Sequence, residues 1–233
     1  MSGRRSVGAT LDEPGLLEAL DWEDAGAVAD RLAALVDPDV ASLARRDAAL
    51  LELHRDRYGE LLRCAGDCPA CGETLEIDIP VVELLPPAPS EAELRVVADG
   101  VEVQFRLPSA ADVRAAVDER SLAERCVTAA RLPDGTAVGP ADLSDRVVAA
   151  IDEAMAALHP TAGLSVDIAC GTCGVRWDAP LDVARVVAAR ARVDALALVA
   201  EVHALATAYG WTEAEVLAVP RARRRRYLEL VGA

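Results

Sequence analysis

The chain has 233 residues, enough to bury the core of one domain or two small ones, and an apolar content of 52% excludes a disordered protein. A net charge of -15 repels phosphate backbones and anionic lipid, so neither nucleic acid nor membrane is an expected partner. All 24 basic residues are arginine, and with aromatics at 3% the core has to be built from Ala, Val and Leu.

The opening residues Met1 to Arg5 lead into no apolar stretch of signal-peptide type, and no run is long enough to span a bilayer. A cytoplasmic setting with reduced cysteines is therefore expected. Apolar positions recur at helical spacing in Leu16, Leu17 and Leu20, then in Val28, Leu32, Leu35 and Val36. Asp37-Pro38 breaks the pattern, and a longer helix is predicted from about Val40 to Leu62, with Ala44, Ala48, Leu51, Tyr58 and Leu62 on one face.

The character changes at Cys64. Residues Thr74 to Ile79 alternate polar and apolar as a half-buried strand does, and Leu85 to Ser90 is a proline-rich linker. Leu94–Ala98 and Val101–Leu107 read as two strands joined at Asp99-Gly100, a hairpin signal. After Pro108, Ser109 is placed to cap a helix around Asp112 to Val117, and Leu122 to Leu132 is predicted to continue helical. Leu143, Val147, Ile151, Met155 and Leu158 form an apolar stripe closed by His159-Pro160. Two further alternating segments, Leu164–Ile168 and Val175–Trp177, flank a second cysteine pair. A long helix from about Leu181 to Tyr209 is stopped by Gly210; Thr212 and Glu215 then form a capping box, and Pro220 starts a last helix.

The cysteines carry the sharpest chemical signal. Cys68-Pro69-Ala70-Cys71-Gly72 and Cys170-Gly171-Thr172-Cys173-Gly174 are both C-x-x-C-G units, each leading into a strand and then a proline, Pro80 or Pro180. Such a turn points two sulfurs at one centre, and the glycine permits the positive φ that sends the chain out as a strand. Together they supply four thiolates for one structural Zn2+ with no coordination position left for water or substrate. The spacing resembles zinc-ribbon knuckles, with nearly a hundred residues inserted between the halves where compact ribbons use far fewer. Three other readings share these residues: a thioredoxin-like redox pair, a rubredoxin-like iron site, and free buried thiols. Cys64 is an alternative ligand in sequence, but it and Cys126 read better as small buried hydrophobes.

His54, His159 and His203 fit structural roles, and no catalytic constellation or glycine-rich phosphate loop can be assembled, so no enzyme is expected. The C-terminal segment offers either a packed helical corner or a docking element. In the second case Tyr209 and Trp211 are the anchors and Arg223, Arg224, Arg225 and Arg226 a rim for an acidic partner. That run covers every face of a helical turn, so part of it must be solvated.

The stretch Val103-Gln104-Phe105-Arg106-Leu107-Pro108-Ser109-Ala110-Ala111-Asp112, the C-x-x-C-G unit after it, and the tail from Tyr209 to Leu217 ending in Arg224-Arg225-Arg226-Tyr227-Leu228 together resemble a known group. It comprises small proteins encoded with contractile phage tails and extracellular contractile injection systems, and it is similar to the phage baseplate hub assembly chaperone family. The resemblance spans roughly Cys68 to Val231. It implies a non-enzymatic assembly factor or minor component of a baseplate, with baseplate, hub or tube proteins as partners, no small-molecule substrate, and a place in a phage-tail-like particle. The alternative is a zinc-ribbon adaptor or regulator of nucleic acid or transcription machinery. The expected fold is α+β: a small antiparallel zinc-ribbon-like sheet flanked by N- and C-terminal helices. The regions are 1–63 (helical), 64–180 (split ribbon with a helical insertion) and 181–233 (helical).

Overall fold

The computed structural model describes residues 12–18, 25–38, 40–85 and 94–232; Leu20 and most of the proline-rich linker lie outside them. The protein is α+β, with helices and small antiparallel sheets. Two compact units divide it, one made of residues 1–38 with 184–233, the other of residues 39–183.

In the first unit, α1 (Glu13–Glu18) and α2 (Ala25–Val36) join α8 (Val183–Tyr209), α9 (Glu213–Ala218) and α10 (Arg221–Val231). Leu16, Val28 and Leu32 are fully buried as the helical spacing predicts, whereas Leu35 is exposed. Gly210 ends α8 with φ +69°, and its N–H donates to the Ala206 carbonyl. Thr212 and Glu215 close the predicted capping box: Thr212 Oγ1 accepts from the Glu215 N–H, while the Glu215 carboxylate accepts from the Thr212 N–H at 2.8 Å.

The arginine run is not uniformly solvated. Arg224 is 1% exposed, and its guanidinium donates to both carboxylate oxygens of Glu13, at 2.5 and 2.9 Å, and to Glu201 at 2.8 Å. It also reaches the carbonyls of Val219 and Val216 at the end of α9. One side chain thereby ties α1, α8, α9 and α10, because a fork of five donors can satisfy several acceptors at once.

The second unit begins with α3 (Leu43–Tyr58), capped by Ser42. The helix is shorter than predicted. Gly59, at φ +99°, turns the chain, and Leu61 and Leu62 enter strand β1 (Leu61–Asp67) rather than a final helical turn. β1 pairs with β2 (Thr74–Pro80), and the short helix α4 (Val81–Leu84) follows. A second sheet has the order β3 (Arg95–Ala98), β4 (Val101–Phe105), β5 (Val127–Arg131). Asp99 and Gly100 both take positive φ, as a type I′ hairpin turn requires. β5 replaces the predicted helical continuation: α6 (Glu119–Cys126) stops, and the chain from Val127 pairs with β4. This non-local pairing overrides the local apolar spacing.

Between β4 and α6 lies α5 (Ala110–Ala115), whose start is a compact joint. Ser109 Oγ and the Asp112 carboxylate form a capping box, and Arg106 donates to both Asp112 oxygens at 2.6 and 2.9 Å. The Arg106 N–H also donates to the Cys126 carbonyl. The sequence from Phe105 to Asp112 is thus a strand-to-helix corner held by one bidentate ion pair. α7 (Asp145–Leu158) lies against β3 and buries the predicted stripe of Leu143, Val147, Ile151, Met155 and Leu158 with Val103 and Phe105. At its end, His159 Nε2 meets Asp47 Oδ2 at 3.0 Å, and the Thr161 hydroxyl donates to the same oxygen at 3.1 Å. The last strands are β6 (Ser165–Ala169) and β7 (Arg176–Pro180). Instead of one sheet the cysteine turns therefore carry two separate ribbons, and a three-stranded sheet stands between them in sequence.

Burial opposes charge on Asp47, but its bonds to His159 and Arg46 hold the acid below its usual value. Arg106, then Ser109, hold the Asp112 carboxyl well below the carboxylate range. Both folded-state values are lowered, so their stabilisation is complete above the unfolded value near pH 4 and is lost as pH falls through the folded values. Denaturant titrations should show Asp112→Asn costing about 1.5–3 kcal/mol at pH 7, with the gap to wild type narrowing steadily as pH falls below about 4. Arg224→Ala, which strands Glu13 and Glu201, should cost about 3 kcal/mol. Arg225→Ala, on the exposed side of α10, should stay within about 0.5 kcal/mol.

Candidate metal centre

Each cysteine pair sits at the tip of an antiparallel ribbon, and the two tips are built alike. The Cys68 N–H donates to the Glu73 carbonyl and the Gly72 N–H to the Cys68 carbonyl, at 2.8 and 2.9 Å. In the second ribbon Cys170 N–H to Val175 and Gly174 N–H to Cys170 repeat both bonds at the same lengths. Gly72 and Gly174 take φ +73° and +75°, where a side chain would be strained. The ribbon bases also match: the Val81 N–H donates to Glu60, and the Leu181 N–H to Leu164, each just after the closing proline. The repeat visible in sequence is a repeat of structure.

The two tips meet sulfur to sulfur. Cys68 Sγ lies 3.6 Å from Cys173 Sγ, and Cys71 Sγ lies 3.7 Å from Cys170 Sγ. All four sulfurs fall within 4.8 Å of one another. Each close pair joins the first cysteine of one unit to the second of the other, as a two-fold relation between the turns requires. Cys68 and Cys170 are buried; Cys71 and Cys173 are exposed. These separations exceed the disulfide bond of about 2.05 Å. They approach the edge of about 3.8 Å expected for a tetrahedron of sulfurs bonded at about 2.3 Å to a central ion. The donor set and its size are therefore compatible with one tetrahedral metal ion.

The four thiols differ in their surroundings. The Cys173 and Thr172 N–H groups are aimed at the Cys170 sulfur and hold its thiol down at about 6. Cys71 receives a backbone bond from Glu73 that favours the thiolate, yet its three sulfur neighbours help push it up to about 12. Four anions cannot share so small a volume unless a cation sits among them. Cys64 and Cys126 take no part: Cys64 is half-buried on β1 opposite Ile77, Cys126 is buried at the end of α6, and burial raises both thiols.

The remaining sequence candidates fall elsewhere. In the first unit, Tyr209 stacks on Trp211 at 4.9 Å, and Tyr227 meets both edge-on. Arg223, Arg225 and Arg226 are exposed nearby in sequence, but Arg224 is withdrawn as a contact residue because its charge is consumed inside the unit. His54, buried on α3, donates from Nε2 to the Leu61 carbonyl at 3.0 Å. Thr161 hydrogen-bonds to Asp47 rather than to His159, so that buried trio activates no hydroxyl.

The model of the T4 bacteriophage base plate protein family matches residues 13–179. The chain belongs to that family. No curated protein and no solved structure gives a significant match. The matched region of this base plate protein runs from α1 to the last strand, so it contains both cysteine turns and the Arg106–Asp112 corner. It stops before α8, and the tail segment from Tyr209 to Leu228 lies outside it. Among the described residues no helix is long and apolar enough to cross a membrane.

Elemental analysis of the purified base plate protein should find one metal ion per chain. Cys68→Ser, Cys71→Ser, Cys170→Ser and Cys173→Ser should each abolish it, with the thermal midpoint falling by about 10 °C or more. Cys64→Ser and Cys126→Ser should keep the full metal content.

Proposed function

We propose that this base plate protein is a non-enzymatic assembly factor or minor structural component of a phage-tail-like contractile particle, stapled by a structural zinc ion. The family match carries the reading: it spans most of the chain and covers nearly all of the unit that holds the four sulfurs. Zinc is favoured over iron by the expected reducing setting, in which an all-thiolate tetrahedral site with no redox duty is commonly zinc. The site leaves no open coordination position, which suits a staple and leaves no place to bind a substrate.

Its partners in this reading are other baseplate proteins, hub or tube subunits among them, met through protein surfaces. The aromatic corner of Tyr209 and Trp211 with the exposed Arg223, Arg225 and Arg226 is one such surface. The exposed Arg223, Arg225 and Arg226 lie in the first turns of α10, at the positive end of the helix dipole, which disfavours them there. An acidic partner would relieve that repulsion.

The test is co-purification of tagged protein with baseplate, hub and tube proteins from cells making the particle. Recovery of a defined baseplate subcomplex is expected, and the triple variant Arg223→Glu, Arg225→Glu, Arg226→Glu should weaken it at least tenfold while the metal content stays unchanged. Absence of every particle protein from the wild-type eluate would overturn the reading.

A further inference from the structure

The sulfur centre is uneven in two ways that a metal staple alone does not require. Its short contacts cross from turn to turn: Cys68 Sγ to Cys173 Sγ at 3.6 Å and Cys71 Sγ to Cys170 Sγ at 3.7 Å. Each of these pairs also joins one exposed cysteine, Cys173 or Cys71, to one buried partner, Cys68 or Cys170. An oxidant from solvent reaches the exposed member first, and the buried member lies beside it as the second thiol that a disulfide needs. The other cross-turn pairing would join Cys68 to Cys170, both buried and both shielded from a solvent oxidant. Pairing within a turn is opposed by the backbone. The bonds from Cys68 N–H to Glu73 and Gly72 N–H to Cys68, repeated in the second turn, fix each turn's shape, whereas across the turns only two tips have to approach.

We propose that the centre is a two-state staple: a peroxide converts its metal-bound form to the disulfides Cys68–Cys173 and Cys71–Cys170, which keep the two turns joined after the ion has gone. This exchange presupposes the structural zinc of the proposed function. An exposed thiolate attacks one peroxide oxygen; the O–O bond breaks, water leaves, and the sulfur becomes a sulfenic acid. The buried thiolate then attacks that sulfur, the S–O bond breaks, and a second water leaves as the disulfide forms. Each peroxide thus takes two electrons from one pair of sulfurs. Two peroxides and four protons turn four thiolates into two disulfides and four waters, and no thiolate remains to hold the ion. A particle that leaves a reducing cell for an oxidising exterior would keep its staple by this exchange.

The test is hydrogen peroxide added to the metal-loaded full chain purified under reductant, with released metal read by a chromogenic chelator. After free thiols are blocked, trypsin separates residues 64–95 from residues 147–176, so a bond across the turns links two peptides that a bond within a turn leaves apart. The ion should be released as two peroxides are consumed. Fragmentation of the linked peptides should show both predicted bonds, with Cys64 and Cys126 still free thiols. The oxidised chain should melt at least about 5 °C above the reduced chain stripped of metal by a chelator. Disulfides within a turn, the pairing of Cys68 with Cys170, over-oxidised sulfurs without a disulfide, or a metal that stays bound would each overturn the exchange while leaving the zinc reading intact. A chain that holds no metal before peroxide is added would overturn the zinc reading itself, and the exchange with it.

Discussion

Two peptide turns, whose cysteines lie 99 and 105 residues apart in their closest pairs, bring four sulfurs to one point. The contact fixes the tip of each ribbon against the other. The ribbon bases are fixed by the backbone bonds after Pro80 and Pro180. Between tip and base neither ribbon has a sheet neighbour among the described residues, and a two-stranded ribbon alone is marginal in water. The sulfur centre is therefore the constraint on which the pairing of the two ribbons rests, while the three-stranded sheet and α7 hold their own apolar core. An ion there would close a loop that holds the three-stranded sheet and the helices α4, α5, α6 and α7.

The cysteine turns were legible in sequence because their chemistry is local. Five residues specify each turn, and the glycine, following strand and proline sit at fixed offsets from the sulfurs. The caps at Ser109 and Thr212, the Asp99-Gly100 turn and the α7 stripe were legible for the same reason. Where structure departs from the sequence reading, the deciding partner lies far along the chain. Leu61 and Leu62 fit a helical spacing, but β2 claims them; residues 127–131 do too, but β4 claims them.

Arg224 is the clearest case of a hidden partner. Within a run of arginines it looks like its neighbours, and only Glu13, 211 residues away, together with Glu201 distinguishes it. The corner at Arg106 and Asp112 gives the complementary lesson. Its residues support the family resemblance, and structure gives them an architectural task, joining strand to helix. Residues that mark a family need not be those that touch its partners.

The two units divide the work. The unit of residues 39–183 lies almost wholly within the region matched by the base plate family and contains the sulfur centre. The helical unit carries the exposed Arg223, Arg225 and Arg226 of α10 and the aromatic corner of Tyr209 and Trp211. In the proposed account the zinc-stapled unit supplies the rigid frame and the helical unit the contacts.

X-ray absorption at the metal edge of the purified, metal-loaded protein tests the central claim most directly. The account predicts a zinc edge with four sulfur scatterers at about 2.3 Å and no lighter ligand. Nitrogen or oxygen in the first shell, an iron edge, or a metal-free protein whose four cysteines form disulfides would contradict it.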